Sequence, residues 1–177
     1  MRKVAIKKNT DGDTRVAKAV PNFYNFKKSN EQHRGDVREM MREIANDINV
    51  AGVHHDYTKT DDDAGSLFYR ELCNTIEGQM DFEDGKWYKM HCEKERHHLN
   101  KHCPDDVNLI DVIEMICDCV CAGVARSGSV YPIEISSDVL QRAVSNTVEM
   151  CVNAVELEEG LMEDNGFCCY GEREANE

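Results

Sequence analysis

DVNLIDVIEMICDCVCAGVA, residues 106–125, is the most apolar stretch of this chain and predicts an apolar helix. Pro104-Asp105-Asp106 leads into it, an arrangement that is typical of a helix start. Apolar residues recur at helical spacing in four further segments, which are joined by short connections. These are residues 30–50, the segment after Asp61–Asp63, the segment from about Lys86, and the segment that Ser136 or Ser137 caps. The pattern predicts a compact all-α domain of about five main helices.

The two ends of the chain differ from this helical middle. Residues 3–8 and 15–20 are short runs that favour β-structure, and the turn-forming stretch 9–14 separates them. They predict a small N-terminal β-hairpin or an extended arm, serving as a lid, as a contact in a homo-oligomer, or only as a loose terminus. We therefore divide the chain into an N-terminal arm (1–26), a helical domain (27–158) and an acidic, mobile tail (159–177).

Composition narrows the class of protein. The chain has 177 residues, which suits one domain with a hydrophobic core. No apolar run approaches the roughly 20 residues that span a bilayer, and the basic N-terminus lacks the apolar stretch of a signal peptide. We therefore expect a cytoplasmic protein without a membrane partner. The nine cysteines, an odd number without a Cys-x-x-Cys pair, favour reduced and buried thiols over a disulfide framework.

The net charge of −13 argues against general nucleic-acid binding. Proteins that bind nucleic acid neutralise phosphates with a basic face, whereas the overall field of this chain repels polyanions. A small phosphorylated substrate stays compatible with the charge, because a bound metal ion reverses the sign of the potential within its site.

Asp118 is the most informative single residue. It is the only charged residue between Met115 and Ala122. An ionised carboxylate in such surroundings is costly unless a cation or hydrogen-bond donors compensate it. Asp118 is therefore a candidate metal ligand, and the alternative is a helix cap or an ion pair with an arginine. Asp111 and Glu114 lie on a nearby face and would support it.

The doublet His55-Asp56 offers ligands of the matching kind. Neutral imidazole and carboxylate suit Zn²⁺, Mn²⁺, iron or Ni²⁺. His33 lies on the stripe of the first helix that we expect to face the core, where it is either a ligand or a hydrogen-bonded core histidine. Lys59, three residues after Asp56, would hold a phosphoryl oxygen beside a metal, unless it is an ordinary surface lysine.

The segment 87–102 is dense in histidine. His91 and His98 are seven residues apart and share one face if the helix persists. Together with His97 they would supply a second metal or hold a phosphate. A structural zinc knot with Cys92 and Cys103 is a competing interpretation.

The order His33, His55-Asp56, Asp118 resembles the HD-domain superfamily of metal-dependent phosphohydrolases. His55-Asp56-x-x-Lys59 looks like the motif of some of its phosphodiesterase branches. More closely, the chain resembles a small, mostly phage and bacterial family of HD-like proteins. The similarity spans about half the chain and is carried by four pieces: Gln32-His33-Arg34, His55-Asp56-x-x-Lys59, Trp87 to His98, and Glu114 to Asp118.

This resemblance implies an all-α fold around one or two divalent transition metal ions (Mn, Zn, Ni or Fe). The primary metal ligands that it implies are His33, His55, Asp56 and Asp118. The further histidines, as ligands of a second metal or as phosphate-binding residues, are His91, His97 and His98. The catalytic residues are Asp56 and Lys59, with Lys59 also binding the substrate. Their spacing departs from the two-metal branches, because His91 lies closer to His97 and His98 than in those proteins.

The sequence thus predicts a metal-dependent phosphohydrolase that acts on a small phosphorylated substrate, a nucleotide or another phosphoester. Two alternatives stay open, because the superfamily also contains inactive members and di-iron oxygenases. One is a non-enzymatic, phage-type binding or inhibitor protein with a structural metal site. The other is a di-iron oxygenase. For a phage-encoded chain, the expected location is the host cytoplasm.

Overall fold

Five α-helices account for most of residues 1–8, 20 and 22–159, which the computed structural model describes. They are α1 (Phe23–His54), α2 (Asp62–Ile76), α3 (Lys86–Lys94), α4 (Leu109–Ser127) and α5 (Ser137–Ala154). Two short 3₁₀ helices, Tyr57–Lys59 and Phe82–Asp84, lie in the connections. The prediction of an all-α domain with about five main helices is confirmed.

A two-stranded parallel sheet joins the two ends of this domain. It pairs β1 (Val4–Lys8) with β2 (Val155–Glu159), with Val4 opposite Val155. β1 was expected to pair within a hairpin, but its partner in the described residues is the strand that directly follows α5. The second run of the predicted hairpin lies outside the described residues apart from Val20, as do residues 160–177 of the tail. Both domain limits drawn from the sequence fall inside elements, at α1 and β2.

α1 is longer than the sequence pattern predicted. It starts at Phe23 because the Asn22 side chain accepts a hydrogen bond of 2.8 Å from the Asn25 backbone N–H, as helix caps do. It then runs unbroken through Gly52, since one interior glycine costs a helix only about 1 kcal/mol. The resulting 32-residue helix is about 48 Å long at 1.5 Å per residue.

The buried side of α1 is not the stripe that we expected to face the core. Val37 and Met41 are 45% and 64% exposed, and His33 is exposed as well. Glu43 is buried instead, where its carboxylate accepts a hydrogen bond of 3.3 Å from the Arg2 backbone N–H. Packing against α4 and against the N-terminal residues therefore decides which side of α1 is covered. The prediction that His33 faces the core is wrong.

α4 carries the apolar stretch and lies at the centre of the fold. It begins at Leu109, where Asn108 and Asp111 form a reciprocal capping box, three residues after the predicted start. The buried core around it consists of Leu99, Val107, Val112, Met115 and Ala143. Gly123 admits the segment that leads to α5, because a Cβ there would lie 2.6 Å from Ser129 O. The predicted cap of α5 is confirmed at Ser136.

α3 is held by a side chain from α2. α3 starts at Lys86 as the sequence predicted, whereas α2 starts at Asp62, inside the run of aspartates that was expected to precede it. The buried Glu71 on α2 accepts hydrogen bonds from the backbone N–H groups of Lys86 (3.2 Å) and Trp87 (2.9 Å). These are donors that the first turn of a helix leaves unpaired. Glu71 therefore caps α3 and sets its position on α2.

The seven described cysteines are free thiols. Cys92 is buried, but Cys117 and Cys121 on α4 are exposed, so the expectation of buried thiols is wrong for that pair. None of the described helices combines the length and the hydropathy that a membrane span requires.

Candidate metal centre

The end of α1 places the His-Asp doublet in a tight reversal. His55 follows the last residue of the helix, and Asp56 has a left-handed backbone with φ 58° and ψ 28°. Aspartate adopts this conformation more readily than most residues. The 3₁₀ helix Tyr57–Lys59 starts immediately afterwards, so that Lys59 Nζ forms an ion pair with Asp56 Oδ2.

Three other parts of the chain bring possible ligands to this turn. α3 carries His91, the segment after it carries His97 and His98, and α4 carries Glu114 and Asp118 one turn apart. Their ligand atoms form three overlapping groups, and within each group all atoms lie within 4.8 Å of one another. The groups are Asp56 with His91, His97 and His98; His55 with His97 and Glu114; and His55 with Asp56 and Asp118.

Asp56 connects the first of these groups with the third, because its two oxygens face different imidazoles. Oδ2 lies 3.3 Å from His55 Nε2, whereas Oδ1 lies 3.4 Å from His91 Nε2 and 3.8 Å from His97 Nε2. Asp118 Oδ1 lies 3.6 Å from the same His55 nitrogen. Donor atoms bound to one ion at about 2.1 Å are roughly 3–4 Å apart. The observed separations therefore fit a metal ion.

Two buried polar atoms at the middle of the cluster have no hydrogen-bond partner. They are Asp56 Oδ1 and His97 Nε2, and the His97 side chain is only 2% exposed. Buried polar atoms in folded proteins are almost always paired. A carboxylate oxygen and an imidazole nitrogen that face each other at 3.8 Å could both bind a cation between them.

Glu114 orients two of the imidazoles from behind. Its Oε1 accepts a hydrogen bond of 2.9 Å from His55 Nδ1 and lies 3.0 Å from His97 Nδ1. The second contact is short, but its alignment is too poor for a well-formed hydrogen bond from His97 Nδ1. A protonated Nδ1 leaves Nε2 with a free lone pair on the side of Asp56. Histidines that bind metals commonly have a carboxylate at the other nitrogen.

His91 is oriented in the same sense by a hydroxyl group. Thr58, which is fully buried, donates its single hydroxyl proton to Glu95 Oε1 at 2.7 Å. The hydroxyl oxygen must then accept from His91 Nδ1–H, 2.6 Å away. His91 Nε2 is thereby left as an acceptor, and His98 Nε2–H donates a hydrogen bond of 2.8 Å to it.

The electrostatic surroundings keep this pair of imidazoles neutral. Burial, with the neighbouring His98, lowers the pKa of His91 to about 3, and burial, with the neighbouring His97, lowers the pKa of His98 to about 4. Burial raises the pKa of Asp56, but the hydrogen bond and charge of Lys59 outweigh it and the net pKa is lowered. At neutral pH His91 and His98 are thus neutral beside an ionised Asp56, the protonation states that metal binding requires. Burial lowers the pKa of His97, but the hydrogen bond and charge of Glu114 outweigh it and the net pKa is raised.

Residues 22–156 match a family described as "Family of unknown function (DUF5662)". The chain belongs to this family. The matched range contains every residue of the cluster. Comparisons with curated proteins and with solved structures give no match.

His33 is the one predicted ligand that this DUF5662 chain does not bring to the cluster. It lies on the unbroken helix α1, 22 residues before His55, which corresponds to roughly 33 Å. Its side chain is exposed. The prediction of His33 as a metal ligand is wrong, because the unbroken helix α1 holds it far from His55.

Three residues in or beside the DUF5662 cluster were not predicted from the sequence or have a larger role than the sequence indicated. Glu114 was expected only to support Asp118, yet it contacts two imidazoles directly. Thr58 lies inside the quoted motif, and Glu95 lies one helical turn after His91, a spacing that is a usable signal. Their roles depend on a contact between residues 37 positions apart, which no local pattern reveals.

Asp111 was predicted to support Asp118, but its carboxylate pairs with an arginine instead. Its carboxylate forms a bidentate pair with Arg96, at 2.7 Å to Nε and 2.8 Å to Nη2. The hydrogen bond to Asp111 raises the pKa of Arg96. This pair fastens to α4 the segment that carries His97 and His98.

Proposed function

We propose that this chain is a metal-dependent phosphohydrolase that acts on a nucleotide or another small phosphoester. The unpartnered pair Asp56 Oδ1 and His97 Nε2 carries the proposal, since a cation between the two atoms would satisfy both. Lys59 beside it supplies a second positive charge within reach of a bound phosphoryl group. A cytoplasmic location belongs to the same proposal, and the free thiols are compatible with a reducing compartment.

The donor set favours a divalent transition metal. Imidazole nitrogen with carboxylate oxygen suits Mn²⁺, Zn²⁺, Ni²⁺ or iron better than Mg²⁺ or Ca²⁺, which prefer oxygen alone. Because the two oxygens of Asp56 face different imidazoles, this carboxylate is suited to bridge two ions. His55 and Asp118 would hold one ion, and His91, His97 and His98 would hold the other.

The uneven exposure of the cluster favours catalysis over a purely structural metal. The His55 and Asp118 side chains are 28% and 30% exposed, whereas His91 and His97 are almost completely buried. Structural metal sites are closed by protein ligands, whereas catalytic sites keep an open position for water or substrate. The exposed side of this cluster offers such a position.

The residues divide the work of hydrolysis. When bound, the metal supplies Lewis-acid polarisation of the phosphoryl group and of the attacking water. Glu114 holds His55 and His97 in the ligating orientation, and Lys59 stabilises the charge that develops on the phosphoryl oxygens. One P–O bond forms to water as the ester P–O bond breaks, and the proton of the water passes to the leaving oxygen.

The proposal is tested by metal analysis together with phosphate release. We expect purified protein to bind one or two divalent ions per chain and, with Mn²⁺, Zn²⁺, Ni²⁺ or Fe²⁺, to release phosphate from a panel of nucleotides and simple phosphoesters. Asp56→Asn should lower kcat/KM by at least about 100-fold and reduce the metal content. Lys59→Met should keep the metal and lose most of the turnover. Asp62→Asn, an exposed carboxylate on α2, is the matched control.

Two results would replace the proposal. Metal-loaded protein that releases no phosphate, with Asp56→Asn affecting stability alone, would identify a binding protein with a structural metal. Bound iron together with metal-dependent oxygen consumption would identify an oxygenase.

A further inference from the structure

A cleft of about 270 Å³ opens between α1 and α4 and leads into the metal cluster. From α1 it is lined by Ile48, Ala51 and Gly52, and from α4 chiefly by Ile113, Cys117 and Cys121. His55, Glu114 and Asp118 form its end and belong to the cluster as well. A molecule whose phosphoryl group lies at the cluster would therefore extend into this cleft.

We propose that the cleft binds an apolar, uncharged ester group, so that the substrates are phosphomonoesters of hydrophobic alcohols or phenols. The inference rests on the proposed phosphohydrolase function and specifies its substrate class. It separates such esters from polyphosphates and from phosphorylated sugars.

Gly52 supports a cleft that is kept open for a ligand. It lies inside α1, where glycine destabilises a helix relative to alanine. No tight packing requires it, because a Cβ added at this position meets no atom within 4 Å. The missing side chain therefore widens the cleft directly beside the last turn that leads to His55.

The charges around the cleft determine which ligand fits. Among the residues that the structure describes, the lining contains neither lysine nor arginine, and its acidic groups are the carboxylates at the cluster end. A second phosphate or a carboxylate on the substrate would meet negative charge without a cation to balance it, in a chain of net charge −13. Isoleucine, alanine and thiol groups instead favour an apolar group that leaves water.

A substrate series tests this inference on the metal-loaded protein. With Mn²⁺ bound, we expect the KM for 2-naphthyl phosphate to be at least tenfold lower than the KM for glycerol 3-phosphate or glucose 6-phosphate. Gly52→Leu should fill the cleft and reduce this selectivity to about threefold or less. Gly35→Leu is the matched control, because Gly35 lies on the same helix, also with no atom near its missing Cβ, but far from the cluster.

The cysteines of the cleft provide a readout that does not depend on turnover. Cys117 and Cys121 are exposed, so that iodoacetamide should label them, and peptide mass mapping follows each thiol separately. 2-Naphthyl phosphate should slow the labelling of this pair, while the labelling of Cys151 on α5 stays unchanged. Glycerol 3-phosphate should give little protection at the same concentration.

The outcomes distinguish the two proposals. Phosphate release without preference for the aryl ester, and without protection of Cys117 and Cys121, would overturn the apolar cleft and leave the phosphohydrolase intact. No phosphate release from any ester by metal-loaded protein would overturn the phosphohydrolase itself.

Discussion

Atoms that face away from the cluster decide how its ligands are presented. An imidazole offers one nitrogen as a ligand, and the partner of its other nitrogen determines which one is free. Glu114 is the partner of the second nitrogen of His55, and Thr58 is the partner of the second nitrogen of His91. Neither contact follows from sequence spacing. Asp118 stood out in the sequence as a lone carboxylate in an apolar helix, and it lies 3.6 Å from His55 Nε2, although its side chain is 30% exposed.

Thr58→Val tests this dependence on a single hydroxyl group. Valine has nearly the same shape, but it leaves His91 Nδ1 without its acceptor and removes one of the two hydrogen bonds that Thr58 donates to Glu95. We expect metal affinity to fall about 10- to 100-fold, as for other partners of metal-binding histidines. The unfolding free energy should fall by about 1–3 kcal/mol. Competition with a fluorescent zinc chelator and urea unfolding measure the two effects.

Thr58→Ser and Thr60→Val are the controls for this prediction. Serine keeps the hydroxyl group and should retain most of the affinity. Thr60 is exposed, and its hydroxyl only donates to the Tyr57 carbonyl, so its replacement should leave metal binding unchanged. Equal affinity of the Thr58 valine and serine variants would show that the hydroxyl does not orient His91.

The helices differ in how far local sequence determines them. α5 begins after its predicted cap, Ser136, because a cap acts within the first turn. α2 begins inside the run of aspartates that was expected to precede it, and Asp61 caps it. The extent and the buried side of α1 were not predictable in this way. Its contact with the residues before β1 joins Glu43 to Arg2, 41 residues away, and helical periodicity carries no information about such a contact.

Gly85→Ala tests the tie between α2 and α3. The backbone of Gly85 has φ −59° and ψ 145°, which alanine adopts without strain, so that any effect arises from contacts. An added Cβ would collide with the Glu71 carboxylate that caps α3. We expect a loss of about 1–3 kcal/mol in the unfolding free energy measured with urea, the usual cost of overpacking.

The same glycine-to-alanine change at Gly35 should have the opposite effect on the unfolding free energy. Gly35 lies in α1 with no atom within 4 Å of its missing Cβ. Alanine there should stabilise the protein by up to about 1 kcal/mol, because it favours the helix and restricts the unfolded chain. Equal shifts at both glycines would refute a specific role for the Glu71 cap.

The cluster joins elements that are distant along the chain, since it connects the end of α1 with α3, α4 and the segment between them. A ligand that binds only the folded state stabilises the whole fold. Chelation should therefore lower the thermal midpoint of the entire domain. In the chelated protein, protonation of the histidines should then cause most of the change in stability with pH near neutrality.

The sign of that pH dependence follows from the two histidines whose pKa values are lowered in the folded state. His91 and His98 have folded pKa values of about 3 and about 4, below the ordinary value of 6.5, because burial opposes their charged form. The unfolded chain therefore binds more protons below pH 6.5, and stability is lost as the pH falls from about 6.5 towards 4. The raised pKa of His97 acts in the opposite direction, but it is one group against two whose pKa values are lowered, so the net loss of stability remains.

Urea unfolding of EDTA-treated protein between pH 7.5 and 4.5 measures this loss. His98→Gln should flatten the decline, since one of the two depressed groups is removed, whereas His33→Gln should leave it unchanged because His33 is exposed and remote. Saturating Zn²⁺ should raise the stability at pH 7.5, and this increment should shrink as protons compete for the same nitrogens. If the chelated protein were as stable at pH 4.5 as at pH 7.5, with His98→Gln indistinguishable from His33→Gln, the histidines would not be held neutral by the fold. The lone pairs on which metal binding depends would then have to be created by the metal itself.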